Sequence, residues 1–150
     1  MVYDPERKKI ILFGGTGSNS FNDTWEYDGI QWKNINTNVA PKARRGALMV
    51  YDSTRKNVVL FGGADDNTSY GDTWIYDGIS WNIISDNGPS ARVWCGVSYD
   101  IKRDRIVLFG GRGEGSIMKG DTWEWDGKNW IALKTDISPS PRCGSIMTPR

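Results

Sequence analysis

Val58-Val59-Leu60-Phe61-Gly62-Gly63 stands near the middle of the chain, and Asp72-Thr73-Trp74 and Tyr76-Asp77-Gly78 follow it. Four consecutive apolar side chains predict a short strand buried on both faces, since a half-buried strand alternates apolar with polar. The Gly pair ends the strand, and Asp77-Gly78 carries a two-residue hairpin signal. The same passage occurs twice more. Ile10-Ile11-Leu12-Phe13-Gly14-Gly15 leads to Asp23-Thr24-Trp25 and Tyr27-Asp28-Gly29. Ile106-Val107-Leu108-Phe109-Gly110-Gly111 leads to Asp121-Thr122-Trp123 and Trp125-Asp126-Gly127. Outward from each run, Tyr3-Asp4, Tyr51-Asp52 and Tyr99-Asp100 recur every 48 residues, and a second Trp follows at Trp32, Trp81 and Trp130. Each unit closes on P-x-x-R, at Pro41 to Arg44, Pro89 to Arg92 and Pro139 to Arg142.

A fixed period of this length marks a repeat architecture. Each unit reads as four short strands. Strand A covers Gly46 to Tyr51 and its equivalents, and strand B is the apolar run. Strand C starts at Asp-Thr-Trp, and strand D carries the second Trp. Asp4-Pro5, Asp52-Ser53 and Asp100-Ile101 open the A–B turns. Asp28, Asp77 and Asp126 read as turn formers, and the paired tryptophans as wedges between units. No segment shows a helical period. The chain is therefore expected to be all-β and a single domain, with repeats of roughly 1–44, 45–92 and 93–142. Residues 143–150 are expected to add an inner strand.

Composition narrows the chemistry. The 150 residues hold 19 Lys+Arg and 18 Asp+Glu, a net charge of +1, which suggests neither a nucleic-acid nor a membrane-surface partner. His is absent, removing the commonest metal ligand and general base, so no metal site and no cofactor is expected. Cys95 and Cys143 are the two cysteines, too few for a disulfide framework and read as free thiols. The longest early apolar run, Ile10 to Phe13, is too short for a signal peptide or a membrane span, and no compartment can be assigned. The Gly-Gly pairs lack the following helix and Lys-Ser/Thr of a phosphate loop.

The apolar run into Gly-Gly, the Tyr and Trp at fixed offsets and the Arg opening the next strand resemble the kelch repeat in all three copies. The resemblance departs at Ala47, Cys95 and Ser145, where kelch repeats often carry His, and at Trp125, which replaces Tyr. It implies a β-propeller of three four-stranded blades, strand A nearest the axis. Three blades cannot close a ring that needs about four to eight. Two expectations follow: a head-to-tail homodimer closing a six-bladed ring, or the remainder of a longer propeller supplying further blades. Met147 holds the repeat position of Met49 and Met1, so the C-terminal segment of one chain is expected to feed the first blade of another.

Antiparallel strands put the B–C and D–A loops on one face, and function usually sits on such loops. Residues that recur in every unit specify the blade; residues that break the repeat there are the binding candidates. Trp94 is the sharpest, because Gly46 and Gly144 are its equivalents. It could offer a stacking surface to a sugar or peptide, or plug the channel. Arg112 and Tyr70 are loop candidates, as are Glu114, Asp65 and Asp66. Arg44, Arg92 and Arg142 begin strand A and could form a positive mouth for anions, or brace loop carbonyls and carboxylates. The resemblance implies a non-enzymatic scaffold engaging a protein, peptide or glycan through the loop face. It also admits two alternatives: a carbohydrate-active enzyme of mutarotase or epimerase type, and a purely structural fragment of a larger propeller. Copper-radical sugar oxidases are excluded for want of His ligands, and no catalytic residue is identified.

Overall fold

The structure is a computed structural model that describes residues 1–148. It is all-β. The first unit forms β1 (Val2–Asp4), β2 (Lys9–Thr16), β3 (Ser20–Tyr27) and β4 (Trp32–Ile35), hydrogen-bonded in that order as one antiparallel sheet. The second forms β5 (Leu48–Asp52), β6 (Asn57–Phe61), β7 (Thr73–Tyr76) and β8 (Trp81–Ser85) in the same order. The third forms β10 (Gly96–Asp100), β11 (Arg105–Phe109), β13 (Thr122–Trp125) and β14 (Trp130–Leu133). A two-stranded ribbon pairs β9 (Arg92–Val93) with β12 (Arg112–Gly113), and a single 3-10 turn covers Glu114–Ser116.

The expected A–B–C–D order is therefore present three times. Residues 143–148 form no strand; Ser145 and Met147 lie against Gly96 of β10. Pro149 and Arg150, the end of the segment expected to add an inner strand, lie outside the described residues.

The hairpins between the third and fourth strands differ from expectation. Tyr27 pairs with Trp32, so the loop holds residues 28–31, four rather than two. Asp28 closes it with its side chain: Oδ1 accepts the backbone N–H of Ile30 and of Gln31, each at 2.9 Å. Gly29 takes φ +99° to let the chain return. Asp77 and Asp126 do the same in their sheets. The side chain supplies the turn acceptor, as Asp does in an Asx turn, and makes room for two more residues.

The second sheet sits between the other two. Val58 and Leu60 of β6 pack with Ile11 and Phe13 of β2, while Val59 and Phe61 pack with Ile106 and Leu108 of β11. That is why its apolar run does not alternate: all four side chains are buried. Each contributes about 1.5–3 kcal/mol, and Phe61→Ala is expected to cost about 3–5 kcal/mol. In the first sheet, Ile10 and Leu12 point away from this core and are half-buried, because a neighbouring sheet lies on one side alone. β5 lies beside both β1 and β10, so the first strands of the three sheets converge along one side of the molecule.

The second-Trp position shows the same asymmetry. Trp81 and Trp130 are 1% and 9% exposed. Each donates its indole N–H to a threonine of the preceding sheet, Trp81 to Thr24 and Trp130 to Thr73, both at 2.9 Å. Trp32, read as a wedge, is 44% exposed because no sheet precedes its own.

Candidate functional site

The B–C and D–A loops gather at one end of the sheets, as the antiparallel order requires. Arg45 bridges to Ala64 and Arg112 pairs with Val93, so each D–A loop is tied to the next sheet's B–C loop. A cleft of about 240 Å³ opens between them, lined by Arg45, Asp65, Ser69, Trp94, Arg112 and Glu114 among others.

Trp94 forms one wall. Its backbone lies in the left-handed region at φ +55°, where its equivalents Gly46 and Gly144 sit at +66° and +71°. Gly46, Trp94 and Gly144 are linked in series by backbone hydrogen bonds: Trp94 N–H to Gly46 O (2.9 Å) and Gly144 N–H to Trp94 O (2.8 Å). The indole packs against Gly46, where a Cβ would come within 2.9 Å of Nε1. Trp94 nevertheless stays 43% exposed. The Arg112 guanidinium lies over its ring at 4.4 Å, a cation–π contact.

The other candidates divide. Arg44 and Arg92 are 1% and 2% exposed. All five N–H groups of Arg92 have acceptors: Ser90 O and Oγ, Gly110 O, and both carboxylate oxygens of Asp121 at 2.6 and 2.9 Å. Arg44 makes the same fork with Asp72 and reaches Gly62 O and Lys42 O. These two arginines brace one sheet to the next, so of the two readings a positive mouth is not built from them. Burial alone would raise the Asp121 carboxyl, but Arg92 and the Trp123 indole N–H outweigh it and hold the pKa at about 2. Asp72 is lowered for the corresponding reasons.

Arg142 is exposed, and its side chain donates, among the described residues, to Ser140 alone. Tyr70 lies beneath Arg44, with 4.2 Å between guanidinium carbon and ring centre, and donates its hydroxyl to Asp65 at 2.5 Å. Burial first, and then Asp65, push the Tyr70 phenol up to about 12, so it stays a donor that positions Asp65 at the cleft. Asp66 pairs with Arg45 at 2.7 Å. Cys95 and Cys143 are free thiols, and burial pushes Cys95 up to about 12, which makes it unreactive.

The structure thus joins Trp94 and Arg112 in one cleft, places Tyr70 behind it, and removes Arg44 and Arg92. Arg45 is a charged lining residue that sequence reasoning missed. Its equivalents are Val93 and Cys143, so it too breaks the repeat on the loop-bearing end, and that signal was available.

No protein-family model matches the chain, and no curated protein matches it in sequence. Among solved structures it is similar to that of YjhT, with a TM-score of 0.76 and 15% identity over 91% of this chain and 52% of the other. The chain spans about half the length of that structure, and the likeness is one of fold.

Proposed function

We propose that this protein is a kelch-type β-propeller scaffold that binds a peptide or glycan at the Trp94–Arg112 cleft without chemically altering it. The propeller reading is supported by three repeats of one four-stranded sheet, stacked face to face with their first strands side by side. The binding reading rests on one observation. Trp94 occupies a left-handed backbone position that the other repeats give to glycine, at a local conformational cost of about 1–2 kcal/mol. Strained residues of this kind concentrate at functional sites. An exposed indole with a guanidinium stacked on it suits a planar or ring-bearing ligand that also carries a carboxylate or other acceptor.

Asp65, which lines the cleft, is pushed below the usual carboxylate range by the Tyr70 hydroxyl and the Asn67 and Thr68 N–H groups. It is therefore ionised at neutral pH and offers a carboxylate acceptor to donor groups of a ligand. Glycan and peptide arrays probed with the native chain and Trp94→Ala test the reading. A ligand bound by the native chain and lost in a folded Trp94→Ala supports it. Equal binding by both overturns it.

A further inference from the structure

The two joints between sheets are built alike. From the earlier sheet to the later one, a threonine accepts the Trp indole N–H, as Thr24 does from Trp81 and Thr73 from Trp130. An arginine of the A–B turn reaches the carbonyl of the turn aspartate in the next sheet: Arg7 to Asp77 O, and Arg55 to Asp126 O at 2.7 Å. The P-x-x-R arginine forks onto the next sheet's carboxylate, Arg44 onto Asp72 and Arg92 onto Asp121.

At the two outer faces each half of this joint is present without its counterpart. The third sheet carries the donor half. The Arg142 side chain holds Ser140 alone among the described residues, Arg103 is 56% exposed at its side chain and pairs with Glu124 of its own sheet at 2.5 Å, as Lys9 pairs with Glu26 in the first sheet, and Thr122 is half-buried. The first sheet carries the receiving half. Trp32 is exposed, the Asp28 carbonyl lies in an exposed turn and accepts no arginine among the described residues, and Asp23 accepts the Trp25 indole N–H at 2.6 Å but likewise no arginine.

A further pairing discriminates between occupants. Tyr76 donates its hydroxyl to Glu26 of the preceding sheet at 3.2 Å. At the next joint the equivalent aromatic is Trp125, whose indole N–H is buried without an acceptor, and the residue in the place of Glu26 is Ile75. Tyrosine thus goes with glutamate, and tryptophan with isoleucine. At the outer faces the residues are Tyr27 on the first sheet and Glu124 on the third, the matched combination. Ile146 adds an apolar term: it is 94% exposed yet holds the repeat position of Leu48, which is 6% exposed beside Phe61.

We propose that the outer face of the first sheet binds the outer face of the third sheet in a second copy of this chain. Two copies then make two identical joints and close six sheets about a two-fold axis. Arg142 meets Asp23, Thr122 meets Trp32, Arg103 meets the Asp28 carbonyl, and Tyr27 meets Glu124. Opposite charges lie at the ends, and the surface buried continues the two joints within each chain. The inference rests on the radial stacking proposed above and is independent of which ligand the cleft takes.

Light scattering on the 150-residue chain is expected to give about 33.8 kDa, twice the 16.9 kDa of one copy. A 16.9 kDa species throughout the micromolar range overturns the proposal and points to further repeats or a foreign partner at these faces. A mass that keeps growing with concentration overturns it too, since it means open chains. Asp23→Arg and Arg142→Asp test the joint itself. Each variant alone opposes like charges at both joints and is expected to run as a folded monomer. Mixed one to one, they restore opposite charges at both joints and are expected to return to the dimer mass. Two monomeric variants that stay monomeric on mixing, or two that dimerise as well as the native chain, overturn it. Failure of the arrays leaves the dimer standing, and a monomer leaves the cleft standing.

Discussion

Trp94 shows how one residue can be held against its own backbone preference. A side chain at φ +55° carries a cost that glycine avoids. Trp94→Gly and Trp94→Ala both remove the indole, the contact with Arg112 and any ligand stacked there. They differ in that alanine keeps the strain and glycine does not. Trp94→Gly is therefore expected to be more stable than Trp94→Ala by roughly 0.5–1 kcal/mol, although it is the smaller side chain, while both lose ligand binding. Chemical denaturation of the two variants measures the difference, and an alanine variant as stable as the glycine variant contradicts the strain. Trp94 and Arg112 were legible in the sequence because both break a repeat. Arg44 and Arg92 stayed open between a mouth for anions and bracing, because a recurring arginine reads the same whether it faces a ligand or a neighbouring sheet.

Strands within a sheet pair with neighbours close in sequence, which is why the four-stranded units could be read from the run of Tyr-Asp, Gly-Gly and Trp. The contacts between sheets could not. Arg92 finds Asp121, 29 residues on, and nothing in the spacing says that these two side chains meet. That joint makes a pH-dependent prediction. An unfolded Asp titrates near about 3.9, and Asp121 is held at about 2 in the fold. A carboxyl lowered on folding adds stability that is complete above the unfolded value and lost as pH falls through the folded one. The contribution of Asp121, and of Asp72 in the same direction, is thus full above about pH 4 and fades between about pH 4 and 2. Arg92→Met takes both fork donors from Asp121, which keeps solvent and the Trp123 indole N–H, and leaves the buried Gly110 carbonyl without its donor, so it is expected to cost about 1–3 kcal/mol at pH 7. Its deficit against the native chain should narrow towards pH 2, where the native joint weakens as well. Urea midpoints across this range check it, and a gap that stays constant with pH removes the charged fork as the source of stability.

At the scale of the whole molecule, three sheets leave two outer faces, and the proposal is that a second copy completes them. A face finished by a second copy ties folding stability to concentration, because binding that favours the native state adds stability by mass action. The melting temperature of the native chain is therefore expected to rise with protein concentration, while that of Asp23→Arg stays flat. Thr122→Val refines the point. Within one chain Thr122 accepts no indole, unlike Thr24 and Thr73, so the substitution should leave the stability of Asp23→Arg unchanged. In the native background it takes the acceptor from the Trp32 indole at each joint. Leaving a buried donor unpaired costs about 1–3 kcal/mol, and at the low end this weakens dimerisation roughly fivefold for each joint. Sedimentation equilibrium reads that shift. A dissociation constant unmoved by Thr122→Val, alongside a native chain that does dimerise, would mean that the two copies meet through some other surface than the one that repeats inside each of them.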